Sequence, residues 1–242
     1  MKTRLYSLFA GLLFSATAAV ACNDSTGFTI NTSQDGFHYW EGLDIGVNGY
    51  FNTRNNLETP AGYSFLELDY ARSHSFAWNI AQYNVHLYKN YINLVTGIGI
   101  EWNSYALRNN VSLIPDTNVV AGVLEPGDFS KNKFKTTWLN APLMLEFNTS
   151  KNADRSFHVG AGVTFGYNIF RNRLKQEYEI NGNVQKRKTK DDFNVEPFRY
   201  SATVRVGYGD FTLFANYGLS ELFKSGRGPE VHPFSAGVSV SF

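Results

Sequence analysis

The chain contains several stretches in which apolar residues alternate with small or polar ones. The last of them is the clearest, because Phe234, Ala236, Val238, Val240 and Phe242 alternate with serines and a glycine. A period of two predicts a β-strand with one face toward an apolar medium and the other toward a polar one. Since the alternation includes the final aromatic residue, we expect the C-terminus to lie in a sheet, as it does in bacterial outer-membrane barrels.

The same alternation predicts eight strands in all. Their approximate ranges are 40–51, 75–88, 91–106, 136–147, 157–180, 200–208, 211–219 and 230–242. Residues 65–71 also alternate and predict a loop strand or the beginning of the next strand. Pro142 lacks the N–H that a ladder needs, so we expect a bulge there. Asn181-Gly182 is typical of a tight hairpin turn, because both residues tolerate positive φ.

The connections between these strands alternate in length. They are short after the second, fourth and sixth strands, at 89–90, 149–155 and 209–210, and they are long or extended after the first, third, fifth and seventh. Short turns on one side and long loops on the other are typical of outer-membrane barrels, with the short side periplasmic. The fold class that we predict is therefore all-β, an eight-stranded antiparallel transmembrane barrel with both termini in the periplasm. A soluble exported sandwich or lipocalin-like barrel is the alternative, and it would need its apolar residues inside.

The N-terminus has the features of an export signal. Lys2 and Arg4 precede an apolar stretch over 5–20, which ends in small residues, so residues 1–21 are predicted to be a signal peptide. The alternative is a retained membrane helix, but the stretch is short for one. We expect residues 22–39 to form a periplasmic N-terminal segment and residues 40–242 to form the barrel. Cys22 follows the cleavage signature directly, which leaves both ordinary cleavage and lipidation of Cys22 open.

Composition and charge narrow the function classes. Aromatic residues make up 16% of the chain, yet the mean hydropathy is −0.27, as expected when a polar lumen dilutes an apolar outer face. Removal of Lys2 and Arg4 with the signal changes the net charge from +1 to −1, so we expect no nucleic-acid partner. The five histidines and the single cysteine show no metal-ligand spacing, and we predict neither a metal nor a cofactor.

Several local motifs resemble those of a known family. They are Leu68-Asp69-Tyr70, Arg72-Ser73, Asn79, Thr96-Gly97-Ile98-Gly99 with Trp102 and Tyr105, and Leu139-Asn140-Ala141-Pro142-Leu143. Together with the last strand they resemble the PorT-like small outer-membrane β-barrel proteins, a group within the broad porin family of barrels. The resemblance implies an outer-membrane location. By family analogy with PorT, association with a protein secretion apparatus is the alternative to a structural or binding role.

The predicted lumen contains charged side chains that make it the first candidate for a functional site. Eight strands leave an interior that side chains fill, so we expect no large pore. The inward positions include Arg205, Glu101, Glu146 and His86, which predict a lumen charge network in which Arg205 pairs with Glu101 or Glu146. This network could form a ligand or proton path, or it could be a packed polar core that stabilises the barrel.

An enzyme is the second class that we considered. Ser73-His74-Ser75 near Glu67 supplies the residue types of a nucleophile, a base and an orienting acid, as a lipid-modifying barrel would need. The simpler interpretation is the polar end of a loop. We therefore predict no catalytic residues and no enzymatic activity.

Partner binding through the long loops is the third class. Basic residues surround Asn181-Gly182, and they could contact lipopolysaccharide phosphates or an acidic partner. These residues are Arg171, Arg173, Lys175, Lys186, Arg187, Lys188 and Lys190. A solvated hairpin that is partly neutralised by neighbouring acids is the alternative. The partners that we expect are outer-membrane lipids and lipopolysaccharide, the barrel insertion machinery, and a secretion-system or surface protein. The predicted role is structural or binding.

Overall fold

The structure, a computed structural model of the chain, describes residues 37–89, 91–127, 129–150, 152–180 and 183–241. The strands in these ranges are β1 (Gly42–Asn52), β2 (His74–Tyr88), β3 (Ile92–Ala106), β4 (Val111–Leu113), β5 (Gly122–Leu124), β6 (Phe129–Asn148), β7 (Phe157–Asn168), β8 (Asn172–Ile180), β9 (Asn183–Asp191), β10 (Phe198–Tyr208), β11 (Phe211–Gly218) and β12 (Val231–Ser241). Single helical turns lie at Ser64–Leu66, Tyr70–Arg72 and Ala153–Arg155. In this part of the chain, no helical segment has the length and apolar composition to cross a membrane.

Eight of the strands form a ring in which each is paired with two antiparallel neighbours. The order around the ring is β1, β2, β3, β6, β7, β10, β11 and β12, and β12 returns to β1. The last pairing runs without a shift from Gly42 opposite Ser241 to Asn52 opposite Val231. The predicted eight-stranded antiparallel architecture is therefore confirmed.

The alternation in the sequence separates the two faces of the ring. On β1, the side chains of Ile45 and Val47 are 58% and 55% exposed, whereas those of Asp44 and Asn48 on either side of them are buried. The apolar residues thus point outward and the polar residues point into the lumen, the reverse of a soluble barrel. This arrangement fits a barrel in a lipid bilayer, because lipid can cover the outer face.

The two ends of the ring differ. The end with the short connections, which we call the turn end, joins β2 to β3, β6 to β7 and β10 to β11, and β1 begins and β12 ends there. The opposite end, which we call the loop end, has the long connections. Outward aromatic residues mark both ends, as in the girdles of membrane barrels. At the turn end these include Phe147, Phe157, Tyr208 and Phe211, and toward the loop end Phe76, Trp102, Tyr167 and Phe198.

Pro142 does not produce the predicted bulge. The register of β6 against β7 is constant from Trp138 to Asn148, and against β3 it is the same on both sides of the proline. The ladder to β3 is interrupted beside Pro142 without shifting, so the missing donor is accommodated by loss of pairing. The bulge of this region lies instead in β2, between Asn79 and Ala81.

Two strand boundaries differ from the predictions. The predicted strand 157–180 is divided, because β7 ends at Asn168 and β8 begins at Asn172, and both lie along the same edge of β6. β6 itself begins at Phe129 rather than near residue 136, so its first part extends beyond the apolar band. Charged residues in 129–135 suggested a loop, but they occupy outward positions of a strand.

The long loops pack together at the loop end. Residues 65–71 form turns and an isolated bridge from Leu68 to Leu107 rather than a strand. Their alternation reflects burial, since Leu66 and Leu68 insert into an apolar cluster that covers this end of the lumen. The cluster also includes Tyr50, Tyr105, Leu107, Val111, Leu113, Val120, Phe134, Trp138, Leu174, Phe193, Val195, Leu222, Phe223 and Val231.

Some predictions concern residues outside the described ranges. These are the signal peptide, Cys22, the turn Asn181-Gly182 and the terminal Phe242. The pairing of Ile180 with Asn183 shows that β8 and β9 form a hairpin on either side of that turn.

Candidate functional site

The chain just before β1 folds into the lumen at the turn end. The carbonyl oxygen of Phe37 accepts hydrogen bonds from the side-chain amides of Gln82 and Asn84, at 2.8 and 2.7 Å. Trp40 lies against Gly97, where a Cβ atom would come within 2.8 Å of its ring. Phe37 and Tyr39, which the sequence assigns to a periplasmic segment, are therefore buried inside the ring. Glycines on β3 leave room for the indole of Trp40.

Tyr39 extends this plug across the lumen. Its ring stacks on His158 with a centroid distance of 3.7 Å, and its hydroxyl donates to the carbonyl oxygen of Ala153 at 2.8 Å. His158 contacts Thr212 through its Nε2 atom. The segment 37–41 thus connects β2, β3 and the β6–β7 turn, and it closes the turn end.

Arg205 pairs with an acid that the sequence analysis did not select. Its two terminal nitrogens each lie 3.0 Å from a carboxylate oxygen of Asp44, and both side chains are buried. The predicted pairing of Arg205 with Glu101 or Glu146 is therefore wrong. The alternation along β10 correctly predicts that Arg205 faces the lumen. Its partner depends on which strand lies across the lumen in the closed ring.

Glu101 forms a separate buried group with Arg199. The guanidinium of Arg199 donates to a carboxylate oxygen of Glu101 and stacks over the ring of Trp138 at 4.3 Å. Asn140 and Asn103 donate to the same carboxylate at 2.6 Å. The carboxylate is fully engaged, which is the condition for a stable charge in a dry interior.

Glu146 and His86 belong to a third group near the turn end. The side chain of Asn93 links them, since its Oδ1 lies 2.7 Å from Nδ1 of His86 and its Nδ2 lies 3.5 Å from Glu146. Asn148 donates to Glu146 at 3.0 Å. The four predicted lumen residues are thus all buried or half-buried, but they lie in three groups rather than one network. Among the described residues, no group of acidic or histidine side chains could hold a metal ion.

The central lumen contains a small chamber lined by described residues. A cavity of about 40 Å³ lies between the Asp44–Arg205 and Glu101–Arg199 pairs, enough for a few water molecules. Above it lies the apolar loop cluster, and below it lies the plug of residues 37–41.

The residues considered for catalysis point in different directions. The hydroxyl of Ser73 donates to the carbonyl oxygen of Asp69 at 2.8 Å, and it accepts from the backbone N–H of Ala106. His74 is exposed on the outside of β2, whereas Ser75 is buried on the lumen side. Glu67 forms an ion pair with Arg108. The four side chains therefore do not form a nucleophile–base–acid arrangement.

A basic surface covers the outside of the barrel at the loop end. It lies on three neighbouring strands, β6, β8 and β9, whose outward side chains are paired in rows. One row is Lys135, Arg173 and Lys190, the next is Lys133, Lys175 and Lys188, and the third is Lys131, Glu177 and Lys186. We call these nine residues the basic face. Glu177 forms an ion pair with Lys131 at 3.0 Å and is the acid in the grid.

Electrostatics on this face reflect crowding of like charges. The neighbouring positive charge of Lys190 is the main cause that holds the pKa of Lys188 below its ordinary value, with burial, Arg173 and Lys175 acting in the same direction. The hydrogen bond from Lys131 lowers the pKa of Glu177. Cations on the same strand and on the adjacent strand therefore repel Lys188, and an anion between them would relieve that repulsion.

Two of the predicted basic residues do not belong to this face. Arg187 points to the other side of the β8–β9 hairpin, where it donates to Gln176, Ser112 and Glu125. It holds the hairpin on the β4–β5 hairpin. Arg171 lies in the break between β7 and β8. The remaining five, Arg173, Lys175, Lys186, Lys188 and Lys190, share the face.

The three lysines of β6 are not among the basic residues predicted from the sequence. Lys131, Lys133 and Lys135 alternate with Asn132, Phe134 and Thr136, which are buried. This period of two is a strand signal, although its outward residues are charged rather than apolar.

The chain belongs to the outer membrane protein beta-barrel domain family. The model of this family matches residues 27–224, which include most of the ring. Among curated proteins, none matches the chain. The broader prediction, a small outer-membrane barrel, is therefore confirmed.

The solved structures that resemble the chain include two of Ail, the attachment invasion locus protein of Yersinia pestis. One is 16% identical, with a TM-score of 0.32. The other, in complex with the heparin analogue sucrose octasulfate, is 14% identical, with a TM-score of 0.31. Each alignment covers 84% of this chain and 99% of the other. Similarity at this level assigns no ligand or role to the chain.

Proposed function

We propose that this protein is an outer-membrane binding protein that holds lipopolysaccharide through its basic face. The ligand groups are the phosphates of the glycolipid, and the protein acts by binding rather than by catalysis. It needs neither a metal nor an organic cofactor for this role. The barrel serves as a rigid scaffold that fixes the position of the charges relative to the membrane.

The observation that carries the proposal is the pairing of like charges across three strands. Cross-strand neighbours on one face of a sheet lie about 5 Å apart, and like charges there destabilise the sheet. Two complete rows, Lys135–Arg173–Lys190 and Lys133–Lys175–Lys188, contain cations alone. A hairpin serving only solubility would gain from acids in these rows, as Glu177 provides in the third. Anionic groups bound along the rows would offset the repulsion.

The position of the basic face also supports the proposal. The outward residues of β6 change from apolar to basic along one strand, with Leu139, Leu143 and Phe147 in the apolar band and the lysines beyond it. The basic face therefore adjoins the boundary between hydrocarbon and headgroups. Phosphates of a glycolipid whose acyl chains pack against the apolar band would lie beside these lysines.

The orientation follows from the same reasoning. With the loop end outside the cell, the basic face meets the outer leaflet, and both termini are periplasmic. In this orientation β12, which closes the ring against β1, is the segment that the barrel insertion machinery would recognise. We retain the PorT-like affiliation as a proposal about family. The secretion-associated role finds no support, and we do not propose it.

The test compares lipopolysaccharide binding by the wild type and by a variant that neutralises the middle row, K133Q/K175Q/K188Q. Both are folded into nanodiscs and titrated with lipopolysaccharide. A lysine near an anionic surface contributes about 1 kcal/mol, so loss of three should weaken binding by roughly 100-fold. Added salt should weaken wild-type binding more than binding by the variant.

The control variant is R54Q/K89Q/R155Q, which removes the same charge from exposed positions outside the basic face. Its affinity should match that of the wild type. Heat-modifiable gel migration checks that all three proteins are folded barrels. Equal affinity of the wild type and the middle-row variant would overturn the proposal.

A further inference from the structure

A cleft lies beside the basic face, between β6 and the loop that precedes β2. Its volume is about 70 Å³, and Lys131 and Lys133 of the basic face form one wall. Arg72, Arg108 and Asp69 also line the cleft. The cleft is therefore continuous with the basic face, but its own residues come from different parts of the chain.

The cations of the cleft are held in place by the backbone. Arg72 donates to the carbonyl oxygen of Ser130 at 3.2 Å, and Lys133 donates to the carbonyl oxygen of Arg72 at 3.3 Å. These bonds position both charged groups at the cleft without neutralising them. Arg108 and Lys131 are paired with Glu67 and Glu177, respectively. Among the described residues, Arg72 and Lys133 are in no ion pair, although the charge of Asp69 acts on Lys133, so these two cations are the ones available to an anion.

The cleft also presents hydrogen-bond acceptors, which a site for a bare anion would not need. Asp69 contributes a carboxylate to the lining. Asn132 lines the cleft as well and is only 6% exposed, and its Oδ1 atom has no hydrogen-bond partner, whereas its Nδ2 atom donates to two backbone carbonyls. A buried acceptor without a partner is costly, so a ligand that supplies a donor would be favoured.

We propose that this cleft binds a phosphorylated sugar, with the phosphate on Arg72 and Lys133 and the sugar hydroxyls on Asp69 and Asn132. A sugar phosphate carries both an anion and several O–H donors, which together match the donors and acceptors of the cleft. This inference rests on the proposed function and deepens it, since it selects the phosphorylated sugars of lipopolysaccharide as the part recognised. A free sugar phosphate has the same chemistry and is the other source.

The experiment uses the full barrel in detergent micelles and two variants outside the basic face, R72Q and D69N. The probes are glucosamine 6-phosphate, inorganic phosphate and glucosamine, measured by calorimetry or by saturation-transfer NMR. R72Q should lower the affinity for glucosamine 6-phosphate by about tenfold, which is the effect of losing a charged hydrogen bond. R72K should recover part of the lost affinity. D69N should weaken the binding of glucosamine 6-phosphate. It should leave the affinity for inorganic phosphate unchanged or raise it, because a negative charge is removed.

Control variants separate this inference from the proposed function. K175Q/K188Q changes the basic face and leaves the cleft residues intact. It should therefore weaken the binding of lipopolysaccharide but not that of glucosamine 6-phosphate. If the sugar is recognised within the glycolipid, R72Q and D69N should weaken the binding of both lipopolysaccharide and glucosamine 6-phosphate. If it is not, they should weaken the binding of glucosamine 6-phosphate alone. The cleft assignment fails if glucosamine 6-phosphate binds no better than inorganic phosphate, or if R72Q and D69N bind it as the wild type does. Lipopolysaccharide loss in the basic-face variants would then still support the proposed function.

Discussion

Arg205 on β10 and Asp44 on β1 form a two-pronged ion pair across the lumen, although two strands separate them in the ring. Each terminal nitrogen of the guanidinium meets a different carboxylate oxygen at 3.0 Å. The pair joins opposite walls of the barrel, and the Nε atom of Arg205 has no protein partner. The adjacent chamber offers room for a water molecule at that position.

Replacing Asp44 with Asn should therefore destabilise the barrel strongly. The change leaves the buried charge of Arg205 without a counterion, which typically costs about 3–5 kcal/mol. Denaturant titration of the folded barrel in lipid bilayers, followed by heat-modifiable migration, measures the change in the free energy of unfolding.

The double variant D44L/R205L removes both charges and should recover most of the loss. Exposed Glu58 provides the control, and E58Q should be neutral within about 0.5 kcal/mol. A cost below about 1 kcal/mol for D44N would show that the pair does not stabilise the native barrel.

For this pair, the sequence predicts that both side chains face the lumen but not that they contact each other. Alternation identifies Asp44, Glu101 and Arg205 as inward, because the side-chain period of a strand is fixed by backbone geometry. It does not identify partners, since these depend on the stagger of strands around the closed ring. Arg199 was missed for a related reason. It lies at the beginning of β10, next to a charged stretch in which alternation of apolar residues is not visible.

Trp40 should contribute more to stability than Trp78, a tryptophan on the outer face of the barrel. Its indole is 4% exposed inside the ring, whereas Trp78 on the neighbouring strand is 45% exposed on the outer face. Trp40→Ala removes a packed side chain from the plug and should cost about 3–5 kcal/mol. Denaturant titration in bilayers gives the loss.

Trp78→Ala is the matched control, and its cost should be clearly smaller because lipid can fill the space. A second comparison uses Gln82→Ala, which removes two hydrogen bonds of the plug. The Gln82 side chain donates one to the carbonyl oxygen of Phe37 and accepts the other from the backbone N–H of Trp40. The substitution should loosen the plug without removing apolar area. Equal costs for W40A and W78A would contradict a packed plug.

Leu174→Ala should loosen the loops while the ring stays intact. Leu174 is completely buried in the apolar cluster at the loop end, and it anchors β8 there. A loss of about 2–5 kcal/mol in local stability should expose the β8–β9 hairpin to trypsin. Limited proteolysis of the folded barrel, followed by mass spectrometry, should find faster cleavage within 186–190.

Leu219→Ala supplies the comparison, because Leu219 is 44% exposed. Its proteolysis should match that of the wild type. If L174A also lost heat-modifiable migration, the loop cluster and the ring would unfold as one unit, contrary to the prediction.

Only part of the basic face can be predicted from the sequence. Five of its residues surround the Asn181-Gly182 turn and are evident from charge alone. The lysines of β6 lie about forty positions earlier in the chain, and only the pairing of Lys133 with Lys175 brings them together. Charge runs indicate a solvated surface, but the match between runs on different strands is a property of register, which sequence periodicity leaves open.

The contact between the two outer hairpins should weaken in acid. Hydrogen bonds from Ser112 and then Arg187 lower the pKa of Glu125, so this carboxylate favours its charged form when β8–β9 is docked on β4–β5. A lowered pKa in the docked state means that the contribution is complete above the ordinary value and is lost as pH falls through the lowered one. Hydrogen exchange within β4 and β5, corrected for intrinsic rates, should therefore be faster at pH 3 than at pH 6. Glu125→Gln should show fast exchange at both values, whereas Glu58→Gln should keep the wild-type dependence. If E125Q retained that dependence, another acid would have to control the docking of the hairpins.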